Sequence, residues 1–218
     1  MATRDTALAS DAFTRADGGL GADWTTISGL EAPAIVSNRV RDSSNADGTA
    51  AGALHTPVSS PNDQWSEVRV HAAVTATTRW VGAYARALTA SHDGYRARVL
   101  GPLGVGTARL DLDRIDAGVV TQLATSTGLT IAVDDLVSIE CEGTTIRAFH
   151  NTTEIHSVTD ATFASGGWGI AVRVNTALAL SGAEADDWSA GTFVSTGHPA
   201  VKRMGGVQFA HSLGQGKW

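Results

Sequence analysis

Apolar and polar residues alternate with a period of two in segment after segment of this chain. Tyr95-Arg-Ala-Arg-Val-Leu100 sets Tyr95, Ala97 and Val99 against Arg96 and Arg98, and Arg109-Leu-Asp-Leu-Asp-Arg-Ile115 sets Leu110 and Leu112 against Asp111 and Asp113. A period of two gives a strand one apolar face and one polar face. Residues 65–74 carry the same pattern with one phase slip, and residues 79–88 read as a further strand. Val137-Ser-Ile-Glu-Cys-Glu142 and Thr145-Ile-Arg-Ala-Phe-His150 flank Gly143-Thr144, which predicts a hairpin. Asn151-Thr-Thr153 turns into residues 154–158, and strands at 169–173 and 177–180 follow. The one helical candidate, residues 117–125, is short and rich in β-formers, so no helix is expected there.

The pattern predicts roughly a dozen short strands between Gly, Asp, Asn and Ser turns, without a repeat of about 20–50 residues. Such a chain must close its sheets on each other as a sandwich or barrel. The alternation stops near Phe193. The reading divides the chain into a lead-in at 1–9, an all-β sandwich at 10–193 and an extended C-terminal linker and tail at 194–218. The tail carries Met204, Val207, Phe209, Leu213 and Trp218 among glycines, more apolar anchors than a purely solvated tail keeps. It reads either as an edge strand folded back on the sandwich or as an assembly arm docking on a neighbouring subunit.

Composition narrows the functions. The chain has 218 residues with 16 basic and 22 acidic side chains, a net charge of −6, which argues against nucleic acid as the main partner. No apolar run reaches the length of a membrane-spanning helix, and the first ten residues lack the apolar block of a secretory signal, so neither membrane insertion nor signal-led export is expected. Cys141 is the single cysteine, which excludes an intrachain disulfide and a multi-cysteine metal site, and its strand setting predicts a small apolar filler. The only lysines are Lys202 and Lys217, so nearly all positive charge is arginine, as a GC-rich coding source would give.

Asp111 with Asp113, and Glu140 with Glu142, are acids at alternate positions and read as solvent faces of half-buried strands. His150 and His156 are placed opposite each other across the turn at Asn151, with Glu154 beside them, but without a metal-ligand motif. His198 and His211 flank the tail core. Residues 39–48 read as a polar loop at a binding rim, and Asn151-Thr-Thr153, a sequon by sequence, reads as a turn.

A set of phrases stands in a telling order. Asp11-Ala-Phe-Thr-Arg-Ala-Asp-Gly-Gly-Leu-Gly-Ala-Asp-Trp24 opens the sandwich. Trp80-Val-Gly-Ala-Tyr84, Asp93-Gly-Tyr95 and Gly166-Gly-Trp-Gly-Ile170 follow, and Ala185-Asp-Asp-Trp-Ser-Ala-Gly191 closes it. This order resembles the concanavalin A-like lectin/glucanase jelly roll in its laminin-G-like branch. The opening phrase and the ending Arg203-Met-Gly-Gly-Val-Gln-Phe-Ala to Gly-Lys-Trp218 are similar to minor tail proteins of phages infecting actinobacteria. The resemblance implies a non-enzymatic virion structural protein, a minor tail, tail-tip or fibre component made in the host cytoplasm. Its partners would be other virion proteins and itself, with host surface glycans bound by the sandwich. A capsid decoration or head-fibre protein, a free carbohydrate-binding module and a glycoside hydrolase stay open as alternatives.

The same resemblance implies candidate sites. Glucanases of this fold use a Glu-x-Asp strand motif that this chain lacks, so no catalytic residue is assigned. Trp24 and Trp188 are expected in the core. Trp80, Tyr84 and Tyr95 are the candidates for a sugar-binding concave face. Glu184, Asp186 and Asp187, joined by Asp42, Asp47 and Asp63 from other loops, are the candidates for calcium, the one cofactor the resemblance offers.

Overall fold

The structure is a computed structural model that describes residues 3–42, 50–57, 59–71, 79–104, 106–173 and 183–194. Among these residues every regular element is a strand: β1 (Ala9–Asp11), β2 (Gly18–Gly19), β3 (Trp24–Thr26), β4 (Pro33–Val36), β5 (Arg39–Asp42), β6 (Ala50–His55), β7 (Gln64–Val70), β8 (Trp80–Leu88), β9 (Asp93–Leu100), β10 (Ala108–Asp116), β11 (Val119–Leu129), β12 (Leu136–Glu142), β13 (Thr145–His150), β14 (Thr153–Thr159), β15 (Gly167–Arg173) and β16 (Ala185–Gly191). The expected strand at 177–180 and the whole tail from 195, with all five of its apolar anchors, lie outside the described residues.

Two sheets form. One runs β14-β13-β12-β7-β16-β5-β4-β2, with β1 added on β16, and the other runs β11-β10-β9-β8-β15-β6-β3. Their facing sides bury the alternating apolar residues, among them Val68, Val81, Ala83, Tyr95, Leu110, Leu112, Ile139, Trp168 and Ile170. Cys141 sits in this core at 0% exposure, where burial pushes its thiol up to about 12, so it acts as the apolar filler expected. The predicted hairpin forms with Cys141 opposite Ile146 and Glu142 opposite Thr145.

The opening and closing phrases meet as the resemblance implies. β1 lies antiparallel to β16 with Asp11 opposite Trp188, and the Trp24 and Trp188 rings touch edge to face at 4.9 Å. Trp24 Nε1 donates to Asp11 at 2.8 Å, and Trp188 Nε1 donates to the Ser66 hydroxyl at 3.0 Å. Burial works against the Asp11 charge, but hydrogen bonds from Arg15, the Phe13 amide and Trp24 outweigh it and hold the carboxyl below its ordinary range.

Pairing begins before residue 10. Arg4 bridges Phe193, and its guanidinium donates to Glu140 (2.6 Å), Glu67 (2.8 Å) and Ser138 (2.5 Å) beside the Trp65 and Phe149 rings. From Thr3 onward the described part of the lead-in therefore pairs with the sandwich. Residues 39–42 are strand rather than rim loop, because Ser37 and Asn38, at φ 53° and 61°, turn β4 into β5. Two positive φ values in succession fit the tight turn that matches strand twist.

Glycine at 166 and 169 is demanded by close approach. Gly166 has φ +144°, and a Cβ there would strike the Arg86 backbone; at Gly169 it would strike the Ala53 carbonyl. Arg86 itself, 2% exposed, donates to the carbonyls of Asn62 (2.8 Å), Gly143 (2.7 Å) and Phe163 (3.1 Å) and reaches Asp63 at 3.3 Å. It thereby ties three loops together at one end of the sandwich.

Asp160 ties a fourth segment. It accepts from the Tyr95 hydroxyl (2.7 Å), Arg114 (2.7 Å) and the Thr162 amide (2.9 Å). Burial raises its pKa, but the bonds from Tyr95, Thr162 and Arg114 prevail and bring it from 3.8 to about 2. A depressed carboxyl stabilises the fold above its unfolded value and loses that contribution as pH falls through the folded one. Urea midpoints are therefore expected to drop between about pH 4 and pH 2 in the native chain and to drop less steeply in Asp160→Asn. Parallel acid slopes in the two proteins would refute this role for Asp160.

Candidate binding pocket

Parity along β8 decides which side chains leave the core. Val81, Ala83 and Ala85 face the other sheet, whereas Trp80 and Tyr84 join Ile27, Leu54, Leu100 and Ile115 in a second apolar cluster on the outer face of the seven-stranded sheet. A loop at 27–31 folds over this cluster. It is pinned by Ile27 N–H to the Gly52 carbonyl (3.0 Å), Ser28 N–H to Thr89 (2.7 Å) and Glu31 N–H to Ala50 (3.0 Å). Opposite, the Asp93 carboxylate accepts from the Ser91 hydroxyl (2.5 Å) and the Ala117 amide (2.6 Å), which joins the β8–β9 and β10–β11 turns. These rims enclose a pocket of about 630 Å³. Among the described residues its charged or titratable lining is Arg96, Arg98, Arg173 and His92, and Trp80 also contributes to its wall.

Beside the pocket, β9 and β10 present opposite charges across the ladder, with Arg98 opposite Asp111 and Arg96 opposite Asp113. Arg96 Nη2 donates to Asp113 Oδ2 at 2.8 Å, and Arg98 Nε lies 2.7 Å from the same oxygen. Arg98 also reaches Asp111 at 3.1 Å, and Arg109 reaches Asp111 at 2.9 Å. Asp111 and Asp113 are 0% exposed. The expected solvent face for these acids is thus corrected: the polar face of β10 is covered, and its acids are buried in an arginine lattice. Glu140, in the other pair, is 1% exposed and held by Arg4, while Glu142 pairs with Arg147 at 3.0 Å.

The three aromatic candidates do not form one platform. Trp80 is 2% exposed, with the Arg96 guanidinium over its ring at 4.3 Å and an indole N–H without a hydrogen-bond partner. Tyr84 is fully buried, and its hydroxyl shares a hydrogen bond with His92 Nε2 at 3.0 Å. Tyr95 pairs with Ala85 across β8 and β9, so it faces the core between the sheets. Burial, then the Arg96 charge, lower the pKa of His92, which keeps the imidazole neutral at neutral pH.

The acidic triplet does not converge either. Glu184 pairs with Arg41, Asp186 with Arg39 at 3.1 Å and Asp187 with Arg69 at 3.1 Å. Three carboxylates neutralised by three separate arginines do not fit a calcium cage, which needs oxygens gathered on one point. Among the described residues no group of three His, Cys, Asp or Glu side chains gathers to hold a metal. His150 and His156 are not opposed: His150 lies opposite Thr153 and bonds to Asp135 at 2.7 Å, whereas His156 bonds to the Leu110 carbonyl at 3.0 Å. The Asn151 side chain accepts from the Leu136 amide at 2.8 Å, as a turn residue does. Asp47, His198 and His211 lie outside the described residues.

Sequence reasoning missed Arg98 and Arg173. The signal was the Arg96-Ala-Arg98 alternation, which marks the polar face of β9 and hence the face that carries the pocket.

No protein-family model matches the chain, and no curated protein matches it in sequence. Solved structures do match. The carbohydrate-binding module CBM66 from Bacillus subtilis aligns at TM-score 0.55 and 17% identity, over 76% of this chain and 91% of that one. The VIP36 exoplasmic/lumenal domain in its Ca²⁺/Man-bound form aligns at TM-score 0.57 and 10% identity, over 82% and 86%. A prokaryotic β-1,3-1,4-glucanase (lichenase) derived from a mouse hindgut metagenome aligns at TM-score 0.53 and 10% identity, over 85% and 98%. The fold is the concanavalin A-like jelly-roll sandwich shared by lectin and glucanase domains.

Proposed function

We propose that this chain is a non-enzymatic carbohydrate-binding protein of a phage virion, in the minor-tail, tail-tip or fibre class. The observation that carries the binding role is the rimmed pocket of about 630 Å³ on the outer sheet face of a lectin-type sandwich. Its volume suits a few sugar rings. The lack of hydrolysis is supported by Asp111 and Asp113, the acids nearest in pattern to a glycosidase pair, each held by arginines. An acid that protonates a leaving group needs access to substrate, which a fully buried, arginine-paired carboxylate lacks. The virion role is supported by the resemblance of the opening phrase at 11–24 and of the ending at 203–218, with its apolar anchors, to minor tail proteins. Many copies on one particle would turn weak sugar affinity into firm attachment.

The match to CBM66 over 91% of that module favours a second reading, a free carbohydrate-binding module. The tail separates the two. Light scattering is expected to show assemblies for the full chain and monomers for a chain ending at Phe193. Equal monomers would overturn the tail's assembly role and favour the free module. Incubation with β-glucans is expected to release no reducing ends; their release would overturn the non-enzymatic reading.

A further inference from the structure

The charge inventory of the pocket face is unequal. Three arginines, Arg96, Arg98 and Arg109, meet two carboxylates, Asp111 and Asp113. Arg173, on the adjacent end of β15, lines the same pocket, and its Nε has no hydrogen-bond partner. Among the described residues no Asp or Glu lines the pocket. Asp93, at the rim, spends its carboxylate oxygens on Ser91 and Ala117. The lining also holds the buried indole N–H of Trp80, unpartnered at 2% exposure. The neutral His92 offers no balancing negative charge.

The excess is felt within the lattice. Burial and the Arg96 charge press the Arg98 pKa below its ordinary value despite two neighbouring aspartates. Arg98 stays charged at any working pH. A pocket rich in N–H donors, with more guanidinium than carboxylate, leaves unmet demand for an acceptor that carries negative charge. Guanidinium offers a planar pair of donors that matches a carboxylate or sulfate.

We infer that the pocket selects an acidic glycan, whose carboxylate or sulfate is received by Arg173 and the exposed part of Arg98. This rests on the carbohydrate-binding reading and names the ligand class for the same site. Arg173 is the discriminating residue, because it is partly exposed and holds no ion pair among the described residues. Its removal should spare the fold, whereas removal of Arg98 would take one of two arginine partners from each of the buried Asp111 and Asp113.

The test is an array of neutral, uronate-bearing, sialylated and sulfated oligosaccharides read with the full-length chain and with Arg173→Ala, followed by calorimetry on the strongest binder. Binding is expected to be confined to acidic glycans, to weaken with salt, and to fall about tenfold or more in Arg173→Ala at unchanged melting temperature. Arg173→Lys should recover part of it. The uronate and sulfate arms tell which anion is read. Equal binding of neutral and acidic sugars, or acidic binding indifferent to Arg173→Ala, overturns the inference and leaves carbohydrate binding standing. Binding to no sugar of either kind overturns both.

Discussion

Replacing Arg86 with alanine is expected to remove about 3–5 kcal/mol of stability, out of the roughly 5–15 kcal/mol typical of a domain. The side chain is 2% exposed and donates to three backbone carbonyls on three loops, at Asn62, Gly143 and Phe163. Alanine would remove the arginine donors from those part-buried bonds, and a polar group stranded away from water costs about 1–3 kcal/mol. Water can reach some of them, which trims the sum. Arg86→Lys keeps the charge but not the planar fork, and should lose less. Chemical denaturation of the two variants measures this. A loss below about 1 kcal/mol in Arg86→Ala would mean that the loops hold one another without the latch.

Removing Asp113 should cost a similar amount by a different route. Its carboxylate is 0% exposed and is shared by Arg96 at 2.8 Å and Arg98 at 2.7 Å. Asp113→Ala leaves two guanidinium groups competing for Asp111 and Tyr84, and breaking a buried pair by removing one partner costs about 3–5 kcal/mol. The double variant Arg96→Leu, Asp113→Leu should recover much of the loss, because it removes a partner from both sides. A cycle over the two sites measures the coupling directly. Strict additivity in that cycle would show that the pair is not coupled, and would contradict the geometry.

The contrast between these two residues explains what was legible in the chain. The period of two marked β7 to β10 and β12 to β15, because one face of each strand must be apolar. The opening and closing phrases marked β1 and β16 as neighbours. What alternation cannot report is how the polar face is satisfied. Asp111 and Asp113 alternate as acids on a wet strand do, yet they are buried, because the opposing arginines of β9 sit at matching positions across the ladder. That knowledge needs the register, which is a property of two strands together. Register also separates Tyr95 from Tyr84. Each follows a polar or small neighbour, but Tyr95 lies opposite Ala85, one position away from the pair of Tyr84 with Arg96.

Arg86 was illegible for another reason. It occupies a register shift between Ala85 and Leu88, where φ is 49° and the strict alternation of faces fails. A bulge redirects a side chain that parity would send outward. The Ser37-Asn38 turn escaped notice because it contains no glycine, the residue that most often flags such turns.

The start and end of the described residues lie side by side: Val194 N–H donates to the Thr3 carbonyl at 2.7 Å, and Asp5 N–H donates to Thr192 at 2.9 Å. The consequence is mechanical. A force that pulls these two points apart meets the backbone bonds in succession, like a zipper, and then meets the Arg4 clamp on Glu67 and Glu140. Tension between residue 194 and a point inside the sheet is shared between that seam and the ladder of β16 with β7. The sandwich should therefore endure more pull between residue 194 and an anchor placed on β12 than between residues 3 and 194, a difference that single-molecule force measurements can resolve.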